Sequence, residues 1–148
     1  MSTFAQMVGS LKARATAQVT TLPYYWDRDA KPELPNEPTA FVFFRLEMDL
    51  ARFISTGGGR GNNIQRTDGE LQGFVFLPRD WGLEQEAAYG EHVAAAFRSY
   101  RDAHVSCGAC SPMPAVPGAQ LRPDGIDSEV ENYSCVVVAV PIYFDQVG

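Results

Sequence analysis

The sequence predicts an α+β domain of two layers, in which two helices pack on an antiparallel sheet of about four strands. Residues 3–19 and 83–101 repeat apolar side chains at the three- and four-residue steps of a helix. Residues 41–54, 64–77 and 132–144 carry the alternating or continuous apolar pattern of strands. Since 148 residues suit one domain, we expect a single α+β domain spanning residues 1–148.

The first helix is predicted from one apolar stripe, and Ser2 or Thr3 is a suitable residue to cap its start. The stripe is typical of a face that docks on the core of the same domain. Its members are Phe4, Met7, Val8, Leu11, Ala15 and Val19.

The second helix is predicted to follow a strand that ends at Pro78, with Asp80 as its cap. Its stripe contains small residues, which allow a helix to lie close to a sheet. The stripe consists of Leu83, Ala87, Gly90, Ala94, Phe97 and Arg101.

The predicted strands are apolar on both faces. In residues 41–54, one face is apolar throughout and carries Val42, Phe44, Leu46, Met48 and Leu50. The other face changes from aromatic to charged and carries Phe41, Phe43, Arg45, Glu47 and Asp49. Residues 64–77 place Leu71, Val75 and Leu77 on one face and Phe74 and Phe76 on the other.

The last strand, residues 132–144, is also apolar on both faces, and Pro141 within it has no amide proton to donate. One side of this strand is therefore expected to lie at an edge or bulge near Pro141. A single layer of helices covers only one face of a sheet. We therefore expect the sheet to bury its second face against another copy of the chain.

Two long segments between these elements are predicted to be irregular. Residues 20–40 contain four prolines and form an extended connector. Tyr24, Tyr25 and Trp26 within it either pin the connector to the domain or contact a neighbouring subunit. Residues 104–129 form a long loop, which is also rich in proline.

Residues 56–63 read Thr-Gly-Gly-Gly-Arg-Gly-Asn-Asn and predict a hairpin tip, because Gly and Asn tolerate positive φ angles. A phosphate-binding loop of the Walker type would need Lys and Ser or Thr after its last glycine. Here Gly61 is followed by Asn62 and Asn63, and a strand rather than a helix is predicted next. A loop that becomes ordered on meeting a partner remains an alternative.

The composition argues against several classes of partner. The net charge is -6 and the pI is about 4.8, whereas nucleic-acid and anionic-membrane surfaces attract cationic proteins. The three cysteines form no even disulfide framework and indicate a reducing compartment. The first residues lack the basic and apolar regions of a signal peptide, and no apolar run is long enough to span a membrane.

The cysteines suggest one metal-binding alternative. Cys107 and Cys110 have the Cys-x₂-Cys spacing of zinc ligands, and His104 and Cys135 complete a possible set of four. The second closely spaced pair of ligands is missing, and Cys135 lies in an apolar strand where a buried thiol is common. We therefore predict neither a metal site nor a cofactor.

The candidates for catalysis are few. A nucleophilic Ser or Cys needs a base, and His92 and His104 are the two histidines of the chain. His92 falls within the second predicted helix, and the Gly-x-Ser-x-Gly elbow is absent from the sequence. Glu84 and Glu86 lie where a helix dipole already favours negative charge. The sequence therefore does not predict an enzyme.

The layout of residues 41–148 resembles the phage tail terminator, or tail-completion, family. A strand and a Gly-rich turn are followed by Arg66-Thr-Asp-Gly69, which leads into the strand Glu70–Pro78. A short link at Gly82 enters a helix, and the last strand ends Val138-Ala-Val-Pro-Ile-Tyr-Phe144. The helix at residues 3–19 also has its counterpart in such proteins, whereas the Cys107–Cys110 loop does not.

The resemblance implies a structural virion protein of a long-tailed bacteriophage, assembled in the host cytoplasm and located in the neck of the tail. Its subunits would form a hexameric ring that caps the tail-tube protein, stops tube polymerisation and offers a docking surface to the head–tail connector. DNA would pass through the ring without specific binding. Another neck or baseplate-joining subunit is the alternative within the same class.

On this interpretation, the residues expected to contact another copy or a partner protein fall into three groups. The first group is aromatic and lies in the connector, and the second is the glycine loop. The third is the aromatic face of the strand predicted at residues 64–77. The groups are Tyr24, Tyr25 and Trp26; Gly57, Gly58, Gly59, Arg60 and Gly61; and Phe74 and Phe76.

Overall fold

The computed structural model describes residues 2–29, 39–55, 57–114 and 133–147. Over these ranges the chain is α+β, with two helices and a mixed sheet of seven strands. In chain order, the elements are α1 (Phe4–Gln18), β1 (Tyr24–Trp26), β2 (Phe41–Met48), β3 (Arg52–Phe53), β4 (Ile64–Pro78), a 3-10 turn (Arg79–Trp81), α2 (Leu83–Phe97), β5 (Ser106–Cys107), β6 (Pro112–Pro114) and β7 (Tyr133–Val147).

The sheet is built on β4 and β7, which pair antiparallel along their whole length from Ile64 opposite Val147 to Pro78 opposite Tyr133. The strand order is β1-β2-β4-β7-β5, with β3 paired to β4 and β6 paired to β7. β1 runs parallel to β2, so the prediction of about four antiparallel strands was wrong in number and in direction. The α+β class and the two helices are confirmed.

Both helices cover the same face of the sheet, which we call the helix face. α1 begins with a capping box in which the Thr3 side chain accepts from the Gln6 amide and the Gln6 side chain accepts from the Thr3 amide. Met7, Leu11 and Ala15 of α1 are completely buried. They join one core with Phe97 and Val93 of α2 and the helix-face residues of β2, β4 and β7.

The opposite face of the sheet, which we call the second face, carries a separate aromatic cluster. Phe41 and Phe43 of β2, Phe74 and Phe76 of β4 and Tyr133 of β7 are all buried, and none is more than 8% exposed. The Phe41 and Phe76 rings stack with their centroids 4.9 Å apart, and Tyr133 meets Phe41 edge-on. The expectation that this part of the second face needs another copy for its burial was therefore wrong, because the single chain already buries it.

Pro141 lies where the edge of β7 changes partners. β6 pairs with residues up to Val138, and β5 pairs with Ile142 and Tyr143. Between them the Gly108 amide donates to the Pro141 carbonyl at 2.7 Å. The missing amide proton of Pro141 therefore faces the interrupted side of β7, as its position in the sequence indicated.

Several predicted boundaries differ from the observed ones. Tyr24–Trp26 is a strand and not an irregular connector, and residues 30–38 of the predicted connector lie outside the described residues. Asp80 does not cap α2, which begins after Gly82 and ends at Phe97. Cys107 belongs to β5, and residues 115–129 of the predicted loop also lie outside the described residues.

Candidate contact surface

One end of the sheet is formed by three strands, namely the paired ends of β4 and β7 and the short strand β3. Arg52 and Phe53 of β3 lie opposite Arg66 and Gln65 of β4, and the Ile54 amide donates to the Ile64 carbonyl at 2.9 Å. We call residues 50–55, residues 57–65 and Val147 the sheet tip. It contains the Gly-rich loop and the C-terminal residue of β7.

The sheet tip presents apolar side chains to solvent. Ile64 lies directly opposite Val147, and Ile54 follows opposite Ile64, so the three form one row on the second face. Ile54 is 44% exposed and Val147 is 48% exposed. Phe53, on the other face of β3, is 59% exposed and Leu50 is 94% exposed. Single exposed apolar residues are ordinary, but a group of them at the end of one sheet is typical of a contact surface.

The loop at the tip has the backbone geometry that its glycines allow. Gly57, Gly59 and Gly61 have φ angles of 92°, 77° and 84°. The side chain of Asn63 accepts from the Gly58 amide and donates to the Gly59 carbonyl, which ties the loop to its own base. Arg60 is exposed at the turn. The predicted hairpin tip is confirmed.

A band of ion pairs separates the sheet tip from the aromatic cluster. The Arg66 guanidinium makes two hydrogen bonds to the Asp145 carboxylate, at 2.8 and 2.9 Å, and lies over the Tyr143 ring at 4.0 Å. Arg52 pairs with Asp68 at 3.1 Å. The hydrogen bond from Arg66 lowers the pKa of Asp145, against the smaller opposing effect of its partial burial. This band links β3, β4 and β7 and holds the base of the tip in place.

The aromatic residues of β1 are buried or half-buried in the domain. Trp26 is 8% exposed, its ring lies 4.8 Å from that of Phe44, and the Lys12 ammonium lies 5.6 Å from its centre. Tyr24 and Tyr25 are half-buried. Of the two roles expected for these residues, Trp26 therefore has the first, because it belongs to the helix-face core and pins β1 to the domain.

Phe74 and Phe76 are 6% and 4% exposed, so they offer almost no area to another chain. They lie in a core of the single chain. They also lie far along β4 from the glycine loop, since Phe76 pairs with Phe41 near the other end of the strand. The structure thus keeps Gly57–Gly61 as an exposed candidate but does not bring the three predicted groups together.

The four residues of the metal-binding alternative do not converge. Cys107 and Cys110 are buried in the helix-face core, whereas Cys135 packs against the aromatic cluster on the second face. Burial raises the pKa of Cys107 and of Cys135 to about 12, which disfavours the thiolate that binds zinc. Among the described residues, no three His, Cys, Asp or Glu side chains are grouped to hold a metal ion.

A cavity of about 290 Å³ lies between the start of α1 and the β5–β7 edge, lined by Ser2, Arg101, Asp102 and His104 among others. Ser2 Oγ donates to the Ala103 carbonyl and lies 2.8 Å from His104 Nδ1. Asp102 accepts from the backbone amides of His104 and Val105 and from the Tyr100 hydroxyl. A catalytic triad needs an acid on the imidazole and a hydroxyl that can give up its proton to it. The Ser2 hydroxyl lies within hydrogen-bond distance of His104 Nδ1, but among the described residues no carboxylate bonds to the ring, and these contacts join the first residues of the chain to the β5 turn.

The apolar residues of the sheet tip were missed by the sequence analysis. Leu50 was assigned to the apolar face of a strand running to residue 54, but β2 ends at Met48 and Leu50 follows it outside the sheet. The available signal was the position of Leu50, Phe53 and Ile54 directly before a glycine loop, where few other elements are available to cover them.

None of the helices among the described residues is long and apolar enough to cross a membrane. No protein-family model and no curated protein matches the chain.

Proposed function

We propose that the protein is a structural subunit that assembles with copies of itself through the sheet tip, and that it serves as a tail terminator of a long-tailed bacteriophage. The observation that carries the first statement is the exposed apolar end of the sheet, with Leu50, Phe53, Ile54 and Val147. The layout shared with the tail terminator family supports the second.

The location of the apolar residues favours assembly over ligand binding. Ile54, Ile64 and Val147 lie side by side on an open sheet surface, whereas small-molecule sites are concave. Burying apolar surface contributes roughly 25 cal/mol per Å², so a few such side chains at the centre of an interface supply a large share of its stability. The ion-paired band beneath them fixes the geometry in advance, which lowers the cost of binding.

The surface proposed for assembly differs from the one that the strand pattern predicted. The aromatic cluster of the second face is already buried within the single chain, so it leaves little area for a contact. The sheet tip takes its place as the contact surface. In a hexameric ring, the tip would meet a neighbouring subunit, the tail-tube protein or the connector, and the overall acidic charge would keep DNA from adhering as it passes.

Deleting the gene in a phage that encodes the chain tests the tail-terminator proposal. We expect filled heads without tails and free tail tubes of irregular, excessive length, because nothing would stop tube polymerisation. Restoring the gene should restore tails of uniform length. Free tails of normal length would instead favour a neck subunit that acts after termination, and missing tubes would favour a baseplate-joining subunit.

The same complementation distinguishes the sheet tip from another exposed apolar residue at the edge of the sheet. A gene that carries Phe53→Asp should fail to restore tails, although the purified variant should retain its helical circular-dichroism signal. Met113→Asp is a matched control, because Met113 is similarly exposed, at 56%, and lies on the edge strand β6. Equal complementation by both variants would contradict a role of the tip.

A further inference from the structure

A second exposed apolar surface lies at the other end of the sheet. Pro78, the last residue of β4, leads directly into the 3-10 turn and then into α2. Trp81 in the turn is 37% exposed and Leu83 at the first position of α2 is 70% exposed. We call residues 79–86 the α2 start. A 15-residue strand spans about 50 Å, so the sheet tip and the α2 start occupy opposite ends of the molecule.

The two ends carry opposite charge. Residues 50–65 of the sheet tip contain Arg52 and Arg60 and no acidic residue, and since Arg52 is paired with Asp68, the charge left at the tip is the +1 of Arg60. The α2 start contains Asp80, Glu84 and Glu86 against Arg79, which gives three negative charges and one positive charge and therefore -2. The helix dipole accounts for acidic residues at this position, but it does not account for the exposure of Trp81 and Leu83.

We infer that the sheet tip of one copy binds the α2 start of the next, in a head-to-tail contact. This inference rests on the proposed self-assembly and specifies its two surfaces. A tip-to-tip contact would bring +1 against +1, and a contact between two α2 starts would bring -2 against -2. Like charges across an interface oppose binding, whereas the head-to-tail pairing places apolar residues together within complementary charge.

The head-to-tail contact determines which kinds of oligomer can form. A contact between two different surfaces leaves one of each free on every growing oligomer, so it generates a closed ring or an open filament instead of a two-fold dimer. The wide separation of the two surfaces on one chain leaves both accessible at once. Trp81 is suited to anchor the contact, because Trp is enriched among the residues that dominate binding.

Two variants that each block one surface test this pairing. Phe53→Asp blocks the sheet tip and Leu83→Asp blocks the α2 start, and both side chains are exposed enough for the fold to be retained. Circular dichroism and thermal unfolding would verify this. In sedimentation velocity, the wild type should form oligomers as its concentration rises, and each variant alone should remain monomeric. An equimolar mixture should form dimers and nothing larger, because only one intact pair of surfaces exists.

The other outcomes contradict either the head-to-tail contact alone or the proposed self-assembly as well. A wild type that stays monomeric up to about 1 mM would contradict both the proposed self-assembly and this inference. A wild type that assembles, together with either variant assembling as the wild type does, would overturn the head-to-tail contact alone. The same holds for a mixture of the two variants that stays monomeric. Met113→Asp should assemble as the wild type does, and its failure to do so would overturn the choice of surfaces.

A charge exchange provides a second test that leaves the apolar residues in place. Arg60→Glu alone places -1 against -2, and Glu84→Arg with Glu86→Arg places +1 against +2, so each change should weaken self-association by about ten-fold. The variant with all three substitutions places -1 against +2 and should recover most of this loss. A triple variant that associates no better than the variants with one reversed surface would contradict the pairing of these two surfaces.

Discussion

Ile64 and Val147 lie directly opposite each other at the end of the β4–β7 ladder, and the row they form with Ile54 faces solvent. The same ladder, twelve residues further along β4, buries Phe76 against Phe41 on the same face of the sheet. One face thus contains an internal core, a band of ion pairs and an exposed apolar end in succession. This division determines which substitutions should affect stability and which should affect assembly.

Phe76→Ala should lower the free energy of unfolding by roughly 3–5 kcal/mol, because it removes a buried ring that stacks on Phe41. Phe53→Ala should change it by about 0.5 kcal/mol or less, since Phe53 is mostly exposed. Urea unfolding at micromolar concentration, where assembly does not contribute, measures both values. A small effect of Phe76→Ala would mean that the aromatic cluster is not a core of the single chain.

Gly90→Ala should destabilise the protein by about 1–3 kcal/mol, because a Cβ at this position would lie 2.8 Å from Pro112 Cβ and 2.9 Å from Val136 Cγ1. This cost outweighs the better helix propensity of alanine. Gly9→Ala in α1 is the matched control, since nothing lies within 4 Å of its added Cβ, and it should stabilise the protein by about 0.5–1 kcal/mol. Thermal unfolding of the two variants should therefore shift in opposite directions, and equal shifts would contradict the close approach of α2 to β7.

Asp145→Asn should reduce stability by on the order of 1 kcal/mol at pH 7, because it removes the carboxylate that Arg66 binds through two hydrogen bonds in a partly exposed site. The pKa of Asp145 is lower in the folded protein than its unfolded value of about 3.9. The pair therefore contributes fully above this value, and its contribution is lost as the pH falls through the folded pKa.

The measurement for this pair is the difference in unfolding free energy between the wild type and Asp145→Asn from pH 7 down to pH 2. The difference should shrink below about pH 4. Asp29→Asn, which breaks the more exposed Lys12–Asp29 pair, should show a difference of about 0.5 kcal/mol or less throughout. A difference for Asp145→Asn that stays constant with pH would show that the ion pair is not its cause.

The cysteines should react slowly with a thiol reagent in the folded protein. Burial raises the pKa of Cys107 and Cys135 to about 12, so the thiolate fraction at pH 8 is about a thousand-fold smaller than that of a free cysteine. Unfolding in guanidinium chloride should release all three thiols to rapid reaction. Rapid reaction of Cys107 or Cys135 in the folded state would contradict their placement in the two cores.

The sequence predicts the elements that are long enough to show the period of a helix or a strand. α1, α2, β2, β4 and β7 were predicted, and the two faces of β4 were assigned as observed, with Leu71, Val75 and Leu77 facing the helices. The four short strands have two or three residues each, and a run of that length contains too few positions to establish a period of two. Their pairing depends on contacts with distant strands.

What buries the second face could not be predicted from the sequence, for a different reason. Alternation in β2 and β4 identifies which side chains share a face, but it does not identify what lies over that face. Phe74 and Phe76 were therefore predicted to contact another copy, although the single chain buries them. Conversely, Leu50 looked like a strand residue, because nothing local marks Met48 as the last residue of β2.

Hydrogen exchange of the backbone amides tests the central claim, assembly through the sheet tip, most directly. Exchange would be compared between a dilute monomeric sample and a concentrated or cross-linked assembly of the wild-type chain. The proposed assembly predicts slower exchange at residues 52–55 and 57–65 in the assembly, with the aromatic cluster on β4 unchanged. An assembly in which these residues exchange as fast as in the monomer, while protection increases elsewhere, would contradict it.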